Sequence, residues 1–370
     1  MKPINNKNYS NSIDKKIESP GRRAGRIILR VLSFLLVIVI LLAVSLLTAI
    51  WVVSNGPSPT AQRMFVLTVK ETSAAGFLAD IFLSGEEVDM ILNPPDQDND
   101  DSYQTDTTLI SIPAQRTHFT GYETGADPDD EDDIHVQAED IPDIELHEVN
   151  GIGYRGYMLI VHDPKRVYVG TLNNFGEGRG WTVIEHVNRH EALAGINGGG
   201  FYDPEGRGTG GIPEGIVISD GVFKWGASSG TVCVMGFDED GILHVGNMTA
   251  TTARNLGLQE ALSFGPALII NGTPQNVPHS GVNPRTAIGQ RADGAVLLLV
   301  VDGRQIDSVG ATFRNLVDIF LEFDAVNAGN LDGGSSTLMV YDGEVINSGP
   351  TMIHNRRMPT TFLVKRADEG

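Results

Sequence analysis

Apolar positions run without a charge from Val31 to Val53, and nearly all of them are aliphatic. A bilayer core needs about 20 such residues in a helix, so the pattern predicts a membrane-spanning helix over 31–53. Trp51 stands near one end, where an interfacial anchor belongs. The stretch is longer than the apolar part of a typical signal peptide, and no convincing small-residue cleavage site follows directly. Both points favour an uncleaved anchor.

Shorter runs follow. Over 54–92, Phe65, Val66, Val69, Phe77, Leu78, Ile81, Phe82, Val88 and Ile91 recur among polar residues. Their spacing is helical in parts and predicts a membrane-proximal helical segment without chemistry of its own. An amphipathic piece resting on lipid is the other reading. Over 93–148 apolar positions thin out, and Asp96, Asp98, Asp100, Asp101 and the run Asp127, Asp129, Asp130, Glu131, Asp132, Asp133 take over. Low hydrophobicity with high charge predicts a disordered acidic linker. The run lacks the spaced ligands and central glycine of a calcium loop.

From 149 to 370 the pattern is that of one globular domain. Asp220-Gly221, Asp240-Gly241, Asp293-Gly294 and Asp342-Gly343 each lie between short apolar or β-branched runs, a strong hairpin signal. Val296 to Val301 is continuously apolar and reads as a strand buried on both faces. Leu316, Ile319, Phe320 and Phe323 put an apolar stripe on a helix, and Trp181 to Leu193 suggests another. The expected class is α+β: a β-rich single domain with few helices, behind the membrane helix and acidic linker.

Charge and cysteine content narrow the picture. A formal net charge of −20 argues against nucleic acid as a partner. Cys233 is the only cysteine, so no intrachain disulfide can form. Lys15, Lys16, Arg22, Arg23, Arg26 and Arg30 precede the apolar stretch, whereas the following flank has almost no basic residue before Arg63. This asymmetry predicts a basic cytoplasmic tail over 1–30, a single-pass anchor in the cell membrane and an extracellular C-terminal domain.

Candidate chemistry gathers on glycine-containing loops. Asn330 to Thr337 reads N-L-D-G-G-S-S-T. Gly333 and Gly334 permit close backbone approach, while Asp332, Ser335, Ser336 and Thr337 offer one carboxylate and three hydroxyls. A hydroxyl-capped turn is the plainer reading. Asn197, Gly198, Gly199 and Gly200 could present backbone N–H groups as an anion nest, or form only a flexible turn. Arg285 and Thr286 follow Pro284, and a guanidinium on a rigid loop suits phosphate. Asp302 ends the buried strand and leads through Gly303 to Arg304. Arg357 or its neighbour Arg356 offers a second anion ligand, and Glu214 is a reserve carboxylate. His186 and His190 have the i, i+4 spacing of zinc ligands, but the glutamate of H-E-x-x-H is missing. No P-loop occurs.

Taken in order, I-N-G-G-G-F-Y, R-T-A-I-G, V-D-G-R, N-L-D-G-G-S-S-T and R-R-M-P-T-T-F-L-V resemble the phosphodiester glycosidase family, which includes the uncovering enzyme. The resemblance runs from about Tyr154 to Val364 and implies twisted sheets with helices and hydrolysis of sugar-1-phosphodiesters. Two features depart from it. The first glycine tract has one glycine more than N-G-G-F, leaving the role of Gly200 open, and the uncovering enzyme is disulfide-bonded, which this chain cannot be.

The expected function is a membrane-anchored extracellular hydrolase of glycosyl phosphodiesters, in wall polymers or exopolysaccharide. Asp332, Arg285 and Asn197 are the expected catalytic residues. Gly198, Gly199, Thr286, Asp302, Gly333, Gly334, Ser335, Ser336, Thr337 and Arg357 are the expected substrate ligands. The expected partners are a glycan or sugar-phosphate substrate and the lipid bilayer. Two alternatives stay open: a non-catalytic binder of anionic glycopolymers, and metal-assisted cleavage with Asp302 and Asp332 as oxygen ligands. No metal motif is present; a divalent ion is possible and the cofactor is otherwise unassigned.

Overall fold

Each of the four Asp-Gly pairs closes a hairpin between paired antiparallel strands. At Asp220-Gly221 (φ 56° and 68°) and Asp342-Gly343 (φ 48° and 81°) both residues take positive φ, as turns matching the strand twist require. The computed structural model describes residues 20–72, 75–92, 105–112, 143–227, 229–348 and 356–367. The acidic residues 96–101 and 127–133 and the tail before residue 20 lie outside them.

The hairpins build three sheets. The seven-stranded sheet runs in the order Ile144–Gly151, Tyr154–Val161, Val296–Val301, Arg285–Arg291, Ala325–Leu331, Ala267–Ile270, Thr273–Pro274. A five-stranded sheet holds Glu344–Val345, Met339–Tyr341, Ala194–Asn197, Thr360–Val364 and Val167–Thr171. Another holds Val222–Trp225, Val217–Ser219, Glu260–Phe264, Thr231–Phe237 and Leu243–Thr249. Every described pairing is antiparallel, and the sheets stay open.

The apolar run 296–301 is buried on both faces. Val296, Leu298 and Val300 enter a core shared by the three sheets, with Ile196, Met235, Leu262 and Phe362. Leu297, Leu299 and Val301 meet the helix Phe313–Glu322 through Leu316, Ile319 and Phe320. That helix begins at a capping box in which the Thr312 hydroxyl accepts Asn315 N–H (3.3 Å) and Asn315 Oδ1 accepts Thr312 N–H (3.0 Å). The helix read over 181–193 is shorter, Val183–Arg189, because its cap lies at Thr182.

The chain forms two compact units, Met1–Ser58 and Pro59–Gly370. In the first, the helix Pro20–Asn55 extends the apolar stretch at both ends; Ile27–Asn55 is long and apolar enough to cross a membrane. Within the second, Pro59–Lys70, Gly76–Ile81 and Gly85–Leu92 are helical and share a small core of Val66, Val69, Ala79, Leu83 and Val88. Residues 105–112, drawn into the linker by sequence, sit against the domain. Ser111 N–H reaches Ala292 O (2.8 Å), Asp106 N–H reaches Asn271 Oδ1 (2.8 Å), and Ile110 is buried.

Leu298→Ala should destabilise the chain by about 2–5 kcal/mol, because a cavity would open where three sheets meet. Urea unfolding measures this; a loss under about 0.5 kcal/mol, typical of a surface site, would contradict that core.

Candidate active site

Asn197 is completely buried where two sheets meet. Its Oδ1 accepts the Thr286 hydroxyl (2.6 Å) and Leu338 N–H (3.2 Å), and its Nδ2 donates to the Asp332 carbonyl (2.5 Å). One side chain therefore joins the Ala194–Asn197 strand, the Arg285–Arg291 strand and both ends of the 332–337 loop. Asn197 and Thr286, expected to touch substrate, are occupied with one another. They hold the wall of the site from behind.

The glycines beside Asn197 serve packing. A Cβ on Gly198 would lie 2.7 Å from Thr360 O, and one on Gly199 would lie 2.5 Å from Ser263 O. Gly198 O accepts Asp332 N–H (3.2 Å), Gly200 N–H reaches Ser263 O (3.1 Å), and Gly200 O accepts Glu214 N–H (2.9 Å). The tract seats strands and loops closely. Of its glycines only Gly200 lines the cavity described next, so no anion nest opens there.

That cavity has a volume of about 980 Å³. Asp332, Gly333, Gly334, Ser335 and Ser336 form one side, with Arg285, Arg304, Arg356, Asp203 and Glu214 around it. Gly334 takes φ 61°, and its N–H bonds Pro284 O (2.9 Å), holding the loop against the arginine strand. Burial pushes the Asp332 carboxyl up to about 6. The Ser336 hydroxyl, Gly333 N–H and the Arg356 charge oppose that rise, while Asp203 adds to it. A carboxylate poised there can exchange a proton near neutral pH.

Each arginine is partnered. Arg285 is 6% exposed; Nε donates to Ala311 O (3.1 Å), Nη2 to Glu71 Oε2 (2.6 Å) and Gly281 O (2.8 Å), and its guanidinium lies 4.4 Å from the centre of the Phe313 ring. Burial lowers its pKa from the ordinary value, and the Glu71 carboxylate opposes this. Arg304 Nη2 donates to Asn283 Oδ1 and the Thr72 hydroxyl, both 3.1 Å. Arg356 pairs with Asp203, donates to Gly206 O (3.2 Å) and covers Phe201.

Several residues lie elsewhere than the sequence suggested. Arg357 turns away from the cavity into a two-pronged pair with Glu185 (2.5 and 2.9 Å) at the start of helix Val183–Arg189; Arg356 faces the cavity instead. Asp302 is fully buried, its oxygens taken by Asn347 Nδ2 (3.0 Å) and Ser348 N–H (3.2 Å). It does not line the cavity, so it does not join Asp332 as a metal-ligand pair. Thr337 is buried outside the lining, too. Among the described residues no three His, Cys, Asp or Glu gather as metal ligands. His186 stacks on His190 (6.0 Å) away from the cavity, and burial pushes it down to about 4.

Glu71, Thr72 and Asp203 line the cavity and were not anticipated. Asp203 follows the glycine tract closely in N-G-G-G-F-Y-D, a signal that could have found it. Glu71 has no local signal, since only the docking of its segment brings it to Arg285.

Residues 190–365 match the family model described as phosphodiester glycosidase. The SPbeta prophage-derived uncharacterized protein YomE of Bacillus subtilis (strain 168) is 32% identical over 204 residues, 50% of this chain and 29% of its own length. The N-acetylglucosamine-1-phosphodiester alpha-N-acetylglucosaminidase of Bos taurus is 40% identical over 62 residues, 17% of this chain and 12% of its own. This chain thus spans less than a third of either relative. The zebrafish enzyme's catalytic domain, solved auto-inhibited by its pro-peptide, overlays with a TM-score of 0.52 at 21% identity. The overlay covers 62% of this chain and 85% of that one, a likeness of fold. Residues 190–365 are thus similar to the phosphodiester glycosidase family.

Asn197→Ala would strand three buried polar groups and should cost about 3 kcal/mol or more, read from chemical denaturation; a near-neutral result would deny the clamp. Asp332 generates a pH test. Its native carboxyl titrates at about 6 against an ordinary 3.8, so the folded state holds the proton longer. Stability contributed by the protonated form is present below the ordinary value and lost as pH rises through about 6. Asp332→Asn should therefore melt higher than the parent above pH 6 and lose that advantage below pH 4. Parallel melting curves at all pH values would contradict this.

Proposed function

We propose that this chain is a membrane-anchored hydrolase of glycosyl phosphodiesters. The carrying observation is the meeting of Asp332 with Arg285, Arg304 and Arg356 around one cavity within the region matched by the family. Its volume of about 980 Å³ accommodates a sugar, a phosphate and part of a second group. In this reading the basic flank before the membrane helix stays in the cytoplasm. The domain then works outside the cell, on wall polymers or exopolysaccharide.

Arg285 and Arg304 take the phosphate, and Arg356 lies on the Asp203 side. Departing phosphate is weakly basic, so rupture of the anomeric C–O bond needs little proton donation but strong charge stabilisation. Asp332 steadies the positive anomeric centre or takes the proton of the attacking water, which adds its oxygen to the sugar while phosphate leaves with the bond electrons. Ser335 and Ser336 orient oxygens of the substrate. Glu214 and Asp203 are further carboxylates at the cavity wall. Asn197 and Thr286 act from behind by holding the Asp332 loop.

The test is release of free sugar from an α-N-acetylglucosaminyl phosphodiester in isotopically labelled water, with label expected in the sugar. Turnover should rise with pH through about 6 as Asp332 ionises, then level off. Asp332→Asn should lower kcat on the order of 10³-fold. Label in phosphate would mean cleavage at phosphorus. A variant with no turnover to lose but full polymer affinity would identify a binder.

A further inference from the structure

The segment that follows the membrane helix carries no chemical motif, yet it supplies two side chains to the cavity wall. Its helix Pro59–Lys70 lies directly on the loop before Arg285: a Cβ on Gly281 would fall 2.3 Å from Thr68 Cα, and Val282 N–H bonds the Thr68 hydroxyl (3.0 Å). Just past the helix, Glu71 uses both oxygens. Oε1 accepts Gly281 N–H (2.9 Å), and Oε2 accepts Asn283 Nδ2 (2.9 Å) and Arg285 Nη2 (2.6 Å). Thr72 accepts from Arg304 Nη2 (3.1 Å) and donates to Thr68 O (2.9 Å). Asn283 joins the two halves, since its Oδ1 also accepts from Arg304 (3.1 Å).

Consider which N–H groups this leaves. In Arg285 Nε and Nη2 are spent on Ala311, Gly281 and Glu71, so Nη1 alone has no partner among the described residues. Among the described residues Arg304 spends only Nη2 and keeps Nε and Nη1. Two guanidinium cations at one cavity wall repel, and the Glu71 carboxylate between them offsets that repulsion. Neither Glu71 nor Thr72 fills the space: a cavity of about 980 Å³ remains with both residues at its wall. The contacts are those of a support.

We propose that Glu71 and Thr72 are positioning residues that hold Arg285 and Arg304 side by side as a phosphate clamp, making the juxtamembrane segment part of the active site. This rests on the reading of the cavity as a sugar-phosphodiester site. Arg285 then presents one nitrogen to a phosphate oxygen, and the second grip comes from Arg304 instead of from a fork on Arg285 alone.

The test uses the full chain in detergent, with Glu71→Gln, Thr72→Val and Thr72→Ser. Inorganic phosphate affinity is measured by calorimetry, and KM and kcat with the sugar phosphodiester. Glu71→Gln should weaken phosphate binding by about tenfold and raise KM by a similar factor, with a smaller change in kcat. Thr72→Val should shift both in the same direction by less, and Thr72→Ser should restore them. Circular dichroism checks folding; should Glu71→Gln misfold, the Thr72 pair decides. Unchanged phosphate affinity, or turnover above the parent, overturns the proposal and makes the segment a spacer or a cover. A parent chain that binds no phosphate overturns the clamp itself. If the parent binds phosphate but releases no sugar, the hydrolase reading fails, and the phosphate comparison still judges Glu71 and Thr72.

Discussion

The candidate site depends on one buried amide. Asn197 sits between two sheets, and its three hydrogen bonds reach the arginine strand and both ends of the Asp332 loop. In a dry interior these bonds are hard to exchange for others, because any polar group left without a partner loses its hydration uncompensated. The loop between Asp332 and Leu338 is therefore held at both ends. The packed glycines that follow the amide allow the strands to come that close.

Once the loop is fixed, electrostatics follows from enclosure. Asp332 lies against protein with few groups that favour its charge, which raises its proton affinity into the working range. The arginines face the opposite problem. A guanidinium out of water needs an anion or carbonyl, and here Arg285 finds Glu71 and Ala311 while Arg356 finds Asp203 and Gly206. These partners fix the orientation of guanidinium groups that line the cavity. A strongly acidic chain thus gathers arginines at one cavity, where carboxylates stand beside them.

The sequence by itself determined the parts whose causes are local. Asp-Gly turns depend on the φ of two adjacent residues, the strand 296–301 on an unbroken apolar run, and the helix Phe313–Glu322 on its stripe and Thr312 cap. The length of the apolar N-terminal helix and the glycine-rich loop at the candidate site were legible for the same reason. Tertiary structure decided which of these residues share a space. Nothing local separates Arg356 from Arg357; only the folded chain gives Arg356 to Asp203 at the cavity and Arg357 to Glu185. Asp302 and Asp332 both end strands, but only Asp332 opens on the cavity, while Asp302 is enclosed by Asn347 and Ser348. Glu71 stands 214 positions from Arg285, and no pattern within its own segment can encode a contact formed only when that segment docks.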